Sequence, residues 1–452
     1  MERVFDLEVV LAQVRAALEA GRVDEAVRIL SDQRPADLVE VFEELEDEEQ
    51  VDLLPRLEAE DSADVLEYMD DPDAAELADE LADADLVRII DQMEPDEAAD
   101  LLGDMEPERR RTILAQLEDP EEVRPLLIYE DDTAGGLMTS EVLALRRRMT
   151  VGDALTAVRT SAPSSSADIL YYLYVVDRDG RLVGVTSLYD LLRANPTAIV
   201  SEVMSSDVIT VHVDDDQEEV ARLMSRYSLL SAPVVNESGI LLGIITYDDL
   251  VDVLEREATE DIQRLGATQP LDRNYLDTPV LTVARKRIGW LLLLFLTETL
   301  TGSVLRHYET ELATVVSLSF FIPLLIGTGG NAGSQSTSTI IRSLALDEID
   351  LSDALPVLWH ELRVGLLLGL TMALVGFGRA LMWHTPFSVA QAVALALLSI
   401  VVWANVVGSV LPLLASKLRI DPAIVSGPFM STLVDATGLM VYLQIAKLIL
   451  KI

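Results

Sequence analysis

The feature that most constrains this 452-residue chain is a change of solvent preference near residue 287. Beyond it run five apolar stretches, 288–306, 313–344, 361–381, 387–415 and 422–446. Each is long enough to cross a hydrocarbon layer of ~30 Å, which takes about 20 helical residues. Before it the chain is crowded with Asp and Glu. From residue 281 onward there are 10 acidic and 11 basic side chains, so the whole-chain charge of −43 leaves −44 on residues 1–280. Such a chain is an acidic water-soluble part attached to a nearly neutral membrane part.

The acidity excludes nucleic acid as a partner, because phosphates would be repelled. It favours cations instead. Lysine occurs only at 286, 417, 447 and 451, a scarcity that a saline habitat or a GC-rich genome also produces. With no cysteine, disulfides and thiolate metal sites are excluded. Four histidines and no HExxH make a zinc hydrolase a poor fit. No nucleophile with a base and no phosphate-binding Walker loop is visible, so an enzyme is not expected. MERVFDLEVV lacks a basic region followed by an apolar run, so no signal peptide is expected.

Residues 1–132 carry a helical period with a loose repeat: ADVLEYM at 63–69, AAELADEL at 74–81 and AADLLGDM at 98–105. Pro and acids precede the copies, as at Glu94 and Pro95, and suit a helix first turn. Short helices repeating in this way predict a small superhelix. Residues 133–258 are duplicated. YVVDRDGRLVGVTSLYDL at 174–191 matches PVVNESGILLGIITYDDL at 233–250, offset by 59, and LMTSEV at 137–142 pairs with VMSSDV at 203–208. Each copy reads as strand, glycine turn, strand, helix, with Gly184, Ser187 and Asp190 in the register of Gly243, Thr246 and Asp249. This resembles a tandem pair of CBS domains, in which the Asp often holds a nucleotide ribose; a helix cap explains Ser/Thr before an acid equally well. Residues 259–286 read as one polar connecting helix interrupted by Pro270 and Pro279, and 287–452 as the membrane domain.

Arg285, Lys286 and Arg287 place the first membrane end in the cytoplasm. Lys417 and Arg419 fall on the same side after four crossings, whereas Lys447 and Lys451 fit the rule poorly. Two carboxylates lie at mid-membrane depth without a Lys or Arg at their level. Glu298 is 12 residues beyond Lys286, about 18 Å along a helix, and Asp435 is 14 residues beyond Asp421, about 21 Å. A lone charge there costs several kcal/mol unless it meets water or a cation. The other reading is a protonated or hydrogen-bonded structural carboxyl. Thr432, Asp435, Thr437 and Gly438 are spaced to share a face or a kink, and Ser426, Gly427 and Pro428 break the helix just before, freeing carbonyl oxygens. Oxygen-only ligation suits a hard cation such as Mg2+. In GTGGNAGSQS, residues 327–336, the glycines at 327, 329, 330 and 333 permit close helix approach, while Asn331, Ser334, Gln335 and Ser336 offer hydrogen bonds. Helix packing and direct pore lining both fit that segment.

The order of parts resembles the MgtE family of magnesium channels and transporters across essentially the whole chain. The sharpest matches are GTGGNAGSQS at 327–336, VDATGL at 434–439, DQEEVARLM at 216–224 and EATEDI at 257–262. The resemblance implies a multidomain membrane protein: an all-α superhelical N-terminal domain, an α/β tandem CBS pair and an α-helical membrane domain of five transmembrane helices. It implies a homodimer of the inner membrane with both soluble domains cytoplasmic, an ion path on the two-fold axis, and Asp435 facing a hydrated Mg2+. It further implies that cytosolic Mg2+ holds the channel shut through Asp64, Asp96 and Asp100, Asp216, Glu218 and Asp252, Glu257, Glu260 and Asp261, and Asp421. Asn331, Gly427, Pro428, Thr432 and Gly438 would support the pore. ATP, if bound, would meet Tyr172, Ser187 and Asp190. The chain departs from the family in having Gly427 in place of Asn and Ser228 in place of an acid, and Glu298 lies outside the family pattern. Transport of Mn2+ or Co2+, or ion exchange by a carrier, is the competing reading.

Overall fold

The computed structural model describes residues 5–161, 171–271, 273, 275–276, 278–346, 348–418, 420–425 and 427–452. It divides into two compact units, Met1–Glu257 with Asp272–Asn274, and Ala258–Leu271 with Tyr275–Ile452.

The first unit opens with short helices from Leu7–Glu19 to Pro107–Leu114. Pro35, Pro72, Pro95 and Pro107 each stand in a first turn, where a missing N–H costs nothing and the fixed φ suits the helix. Acids in the same turns favour the positive end of the helix dipole. Two of these helices matter below: α1, Ala59–Tyr68, and α2, Pro95–Asp104. Their apolar faces join a core that extends from Leu11 to Met138, takes in the second CBS copy from Val211 to Val253 and includes the fully buried Phe42, Leu54 and Leu102, while the first copy has its own core around Leu145, Leu173 and Leu191. Each such Leu contributes about 2 kcal/mol by leaving water.

The duplication is visible in the backbone. Strands β1 (Leu145–Arg146), β2 (Tyr172–Val176) and β3 (Leu182–Ser187) form one sheet and lead into α3 (Leu188–Arg193). Strand β4 (Val211–His212), α4 (Gln217–Tyr227), β5 (Ser231–Val235) and β6 (Leu241–Thr246) form the second copy, leading into α5 (Tyr247–Leu265). In both sheets the first pairing is parallel and the second antiparallel. The register slips at Val175/Val176 in one and at Val234/Val235 in the other, again 59 residues apart. Gly180 and Gly239 make the hairpin turns with φ of 82° and 73°. The Tyr174 hydroxyl ties the sheets together, 2.9 Å from Ser231 Oγ.

The helix expected over 259–286 is not found as such. α5 starts at Tyr247 within the second CBS copy, ends at Leu265, and leaves both Pro270 and Pro279 outside helices. The basic triplet at 285–287 instead belongs to the first membrane helix, α6, Val280–His307. Proline explains the boundary: Pro279 is the N-cap of α6 and cannot continue a helix from upstream.

Four more long helices follow: α7 (Ile322–Ala345), α8 (Ala354–Met382), α9 (Phe387–Lys417) and α10 (Gly427–Leu450). All five candidate spans have 24 or more residues, enough for about 36 Å at 1.5 Å per residue. α9 is the most buried and lies against α7, α8 and α10, while α6 packs against α10. α8 begins seven residues before the expected 361, and α10 begins at Gly427 rather than 422.

Candidate ion and nucleotide sites

The acids of the first unit converge where α1 and α2 meet the start of α5. Asp64 and Glu67 come from α1, Asp96, Glu97 and Asp100 from α2, and Asp249 and Asp252 from α5. Asp96 is 5% exposed, and its Oδ1 is buried with no hydrogen-bond partner. Burial, then the charge of Asp249, pushes its carboxyl well above the usual range. Glu97 is raised likewise by burial and by Asp100. Burial carries Asp100 up to about 7, assisted by Asp131 and opposed by Arg256. Glu67 also rises to about 7 through burial, although the Glu94 N–H donates to it at 2.7 Å. Asp249 reaches about 6 through burial despite two hydrogen bonds from Thr246. Asp64 and Asp252 are raised by burial too. Water has been withdrawn from several carboxylates that repel one another, and Arg256 is the cation that acts on Asp71, Asp100 and Asp252.

Asp64, Asp96, Asp100 and Asp252 were expected here; Glu67, Glu97 and Asp249 were not. Their signal lay in spacing, since 64 and 67, and 97 and 100, each share a helical face.

The remaining soluble candidates form separate groups. Asp216 caps α4, accepting from the Glu218 N–H at 2.9 Å, and Glu218 pairs with Arg222. Glu257 accepts from Gln217 Nε2 at 2.7 Å, which brings it to the same helix start. In the second unit Glu260 and Asp421 both pair with Arg264, so an arginine already bridges these two candidates. Asp261 lies half-buried on the same helix. Ser228, the departure from the family's acid, takes the left-handed position that ends α4, with φ 52°.

Tyr172 and Ser187 are paired across β2 and β3, and Ser187 Oγ lies 2.6 Å from Asp190 Oδ2. Ser187 also accepts from the Asp190 N–H, so the cap reading holds here, whereas in the second copy the Asp249 carboxylate accepts from the Thr246 N–H and hydroxyl. The two copies differ in access. Asp190 is exposed, whereas Asp249 is half-buried within the acidic cluster.

In the membrane region, GTGGNAGSQS lies wholly inside α7. A Cβ on Gly330 would stand 2.3 Å from Ser431 Oγ, so α10 approaches this face closely. A Cβ on Gly408 would stand 2.6 Å from the Gly333 carbonyl, which brings α9 equally near on another side. Ser334 and Ser336 bond across helices as expected, but Asn331 and Gln335 are exposed. Gly327, Asn331 and Gln335 form an exposed stripe four residues apart.

Asp435, on α10, is half-buried, and its Oδ1 is shielded without a partner. Glu298, on α6, is exposed and within electrostatic reach of it. The carbonyls expected to be free at the start of α10 are occupied: Ser334 Oγ donates to Gly427 O at 3.1 Å and Thr432 Oγ1 to Pro428 O at 3.0 Å. The reason is that the expected break is the beginning of the helix, whose hydroxyl neighbours supply donors. Thr437 and Gly438 face α9, Thr437 accepting from Trp403 Nε1 at 3.0 Å and Gly438 lying beside Ile400. Ser426 and Arg419 lie outside the described residues.

In the membrane region one acid had no sequence signal. Glu361 on α8 is 8% exposed and accepts from Ser336 Oγ at 2.8 Å.

Comparison with known proteins covers all these parts. Residues 322–445 match the MgtE family of divalent cation transporters, 33–132 the MgtE intracellular N domain, and 134–196 and 200–256 the CBS domain. The chain is 47% identical over 330 residues to the magnesium transporter MgtE of Thermus thermophilus, covering 73% of each sequence. It is 35% identical over 334 residues to that of Enterococcus faecalis, covering 74% of this chain and 73% of the other. Among solved structures it resembles the cytosolic domain of the Mg2+ channel MgtE in complex with ATP, at 38% identity and a TM-score of 0.51, covering 54% of this chain and 99% of that one. The soluble part of a magnesium transporter aligns at 29% identity and a TM-score of 0.50, covering 56% of this chain and all of the other. The chain belongs to the MgtE family, a family of magnesium transporters and not of enzymes.

Proposed function

We propose that this chain is a Mg2+ channel of the cell membrane, closed by the ion it conducts, with Asp435 as the carboxylate on the ion path. The observation that carries this reading is the orphaned oxygen of Asp435, shielded without a donor eight residues into α10. A carboxylate so placed needs water or a cation. The exposed stripe of Gly327, Asn331 and Gln335 supports a wet path or a second copy on that face, because a polar stripe is costly in lipid. Asp435 offers one carboxylate, with the Glu298 carboxylate within electrostatic reach. That suits Mg2+, which keeps several waters and uses one or two carboxylates. The path then lies on the axis of a homodimer, each subunit contributing one Asp435.

Closure follows from the acidic cluster. Divalent ions among Asp64, Asp96, Asp100 and Asp252, with Glu67, Glu97 and Asp249, favour the arrangement in which α1, α2 and α5 are packed. An ion that binds one arrangement shifts the population by its differential affinity. α5 is continuous from the second CBS copy to Arg264, and Arg264 holds Asp421 just before α10. The basic triplet at 285–287 supports a cytoplasmic position for residues 1–265. ATP fits at Tyr172, Ser187 and Asp190, where the Asp190 carboxylate is exposed beside the Ser187 hydroxyl that bonds it. Glu257, Glu260 and Asp261 on α5, with Asp216 and Glu218 beside its start, extend the regulatory set.

The test is Mg2+ uptake into liposomes holding the purified full-length protein, beside Asp435→Asn, which keeps shape and removes charge. Uptake by the parent that the variant loses supports the reading. Equal uptake by both moves the ion path away from Asp435, and preferential uptake of Mn2+ or Co2+ overturns the selectivity.

A further inference from the structure

Glu361 is out of place by every local rule. Along α8 after Val357, the six buried positions Glu361, Gly365, Gly369, Ala373, Gly376 and Ala380 recur every three or four residues. Five of the six are Gly or Ala, as close helix packing in a membrane requires. The sixth is the largest acidic side chain, 92% removed from solvent seven residues into the helix, about 10 Å from its start. Neither the ion path proposed at Asp435 nor the acidic cluster uses it.

Its surroundings explain what it holds. The Glu361 carboxylate takes the Ser336 hydroxyl at 2.8 Å, and that hydroxyl lies 3.2 Å from the Asn405 carbonyl of α9. One residue on, Thr337 Oγ1 donates to the Gly408 carbonyl at 3.1 Å. Ser336, Thr337, Asn405 and Ser409 are all buried, so α7, α8 and α9 are joined by a polar knot in an otherwise apolar bundle. Ser334, two residues before Ser336 on α7, points about 200° away around the helix and donates to Gly427 O, the first residue of α10. α7 is therefore gripped from behind by Glu361 and in turn grips the start of the helix that carries Thr432 and Asp435.

We infer that Glu361 is a positioning residue for ion conduction: by accepting the Ser336 hydroxyl it fixes the height and rotation of α7, and through Ser334 the first turn of α10. The role depends on an acceptor oxygen and not on a negative charge. It rests on the transport reading above.

Liposome Mg2+ flux of full-length protein tests it, with Glu361→Gln, Glu361→Ala, Ser336→Ala and the double alanine variant. Glutamine keeps a carbonyl oxygen that accepts a hydroxyl proton. Glu361→Ala and Ser336→Ala should each lower maximal flux about tenfold, as loss of an orienting partner does, with half-saturating Mg2+ moved less than about twofold. The double variant should be no worse than either single one, because both remove the same bond. Glu361→Gln should restore most of the flux. If Glu361→Ala fails to assemble in detergent, Ser336→Ala and Glu361→Gln decide alone. Flux as low in Glu361→Gln as in Glu361→Ala would show that the charge itself is used and overturn the inference. So would parental flux in Ser336→Ala, or a change confined to half-saturation. A parent without flux would instead sink the transport reading.

Discussion

Asp96 and Asp435 present the same oddity in two solvents: each keeps one shielded carboxylate oxygen without a donor. Around Asp96 the problem is company. Asp249, Glu97 and Glu94 all act on it, and burial has raised the whole group toward neutrality. Around Asp435 the problem is isolation, for Glu298 is the charge within reach and the helices beside it are apolar. Crowded carboxylates respond to anything that supplies positive charge, which makes them a sensor over a range of concentrations. A solitary carboxylate on a span is useful only when an ion passes it. The difference separates regulation from conduction, and four measurements can break or sharpen that separation.

The largest expected effect is on flux. Asp435→Asn should lower Mg2+ uptake at every Mg2+ concentration by at least about tenfold, equivalent to about 1.4 kcal/mol in a barrier. Asp96→Asn should leave maximal uptake unchanged and alter only the concentration of internal Mg2+ at which uptake stops. If Asp96→Asn also abolished uptake, the two regions would not be separable in this way.

Asp96→Asn should also stabilise the first unit in the absence of divalent ions. Removing a buried, unpaired charge relieves a desolvation cost of about 1–3 kcal/mol. The thermal midpoint of the purified full-length protein in EDTA should rise by several degrees, and added Mg2+ should raise it less than in the parent. A lower midpoint in EDTA would mean that Asp96 is stabilising as an ion.

Protons should imitate the metal. Glu67 and Asp100 stand at about 7 and Asp249 at about 6, all above the ordinary carboxylate range. The folded state therefore binds more protons than the unfolded state between roughly pH 4.5 and 7, and stability falls as pH rises through that window. Lowering pH from 8 to 5.5 without divalent ions should raise the midpoint by about 3 °C or more. The additional gain from Mg2+ should shrink at the lower pH, since protons and metal compete for the same oxygens. A midpoint independent of pH would remove the acidic cluster from the regulatory account.

Much of this architecture was legible in the sequence because it is periodic. The 59-residue offset between the CBS copies reappears in the hairpin glycines and even in the register slips at Val175 and Val234. The five apolar runs became five long helices. What was not legible was how side chains from distant segments meet. Glu67, Glu97 and Asp249 look like any solvated acid until α1, α2 and α5 are brought together. Glu361 was hidden by a boundary: taken as the first residue of a span it would be an ordinary helix-end acid, but α8 begins at Ala354 and carries it inside. The connecting segment failed for the opposite reason, since proline punctuation at 270 and 279 ends one helix and starts another instead of interrupting a single one.

Arg264 offers the smallest and most discriminating effect. Its guanidinium joins Glu260 on its own helix to Asp421 ahead of α10, and all three side chains are about one-third exposed. Partly exposed pairs of this kind contribute no more than about 1 kcal/mol, so Arg264→Gln should move the thermal midpoint by only a degree or two. Its effect on Mg2+ dependence should be clearer. The substitution removes a fixed cation between two candidate metal ligands and leaves both carboxylates free to take a divalent ion in its place. If these carboxylates regulate, uptake by Arg264→Gln should stop at a lower internal Mg2+ concentration than in the parent, with maximal uptake intact. If the arginine merely fastens α5 to the start of α10, the variant should instead lose sensitivity to Mg2+. The direction of that shift decides whether the charge at this junction is a switch or a rivet.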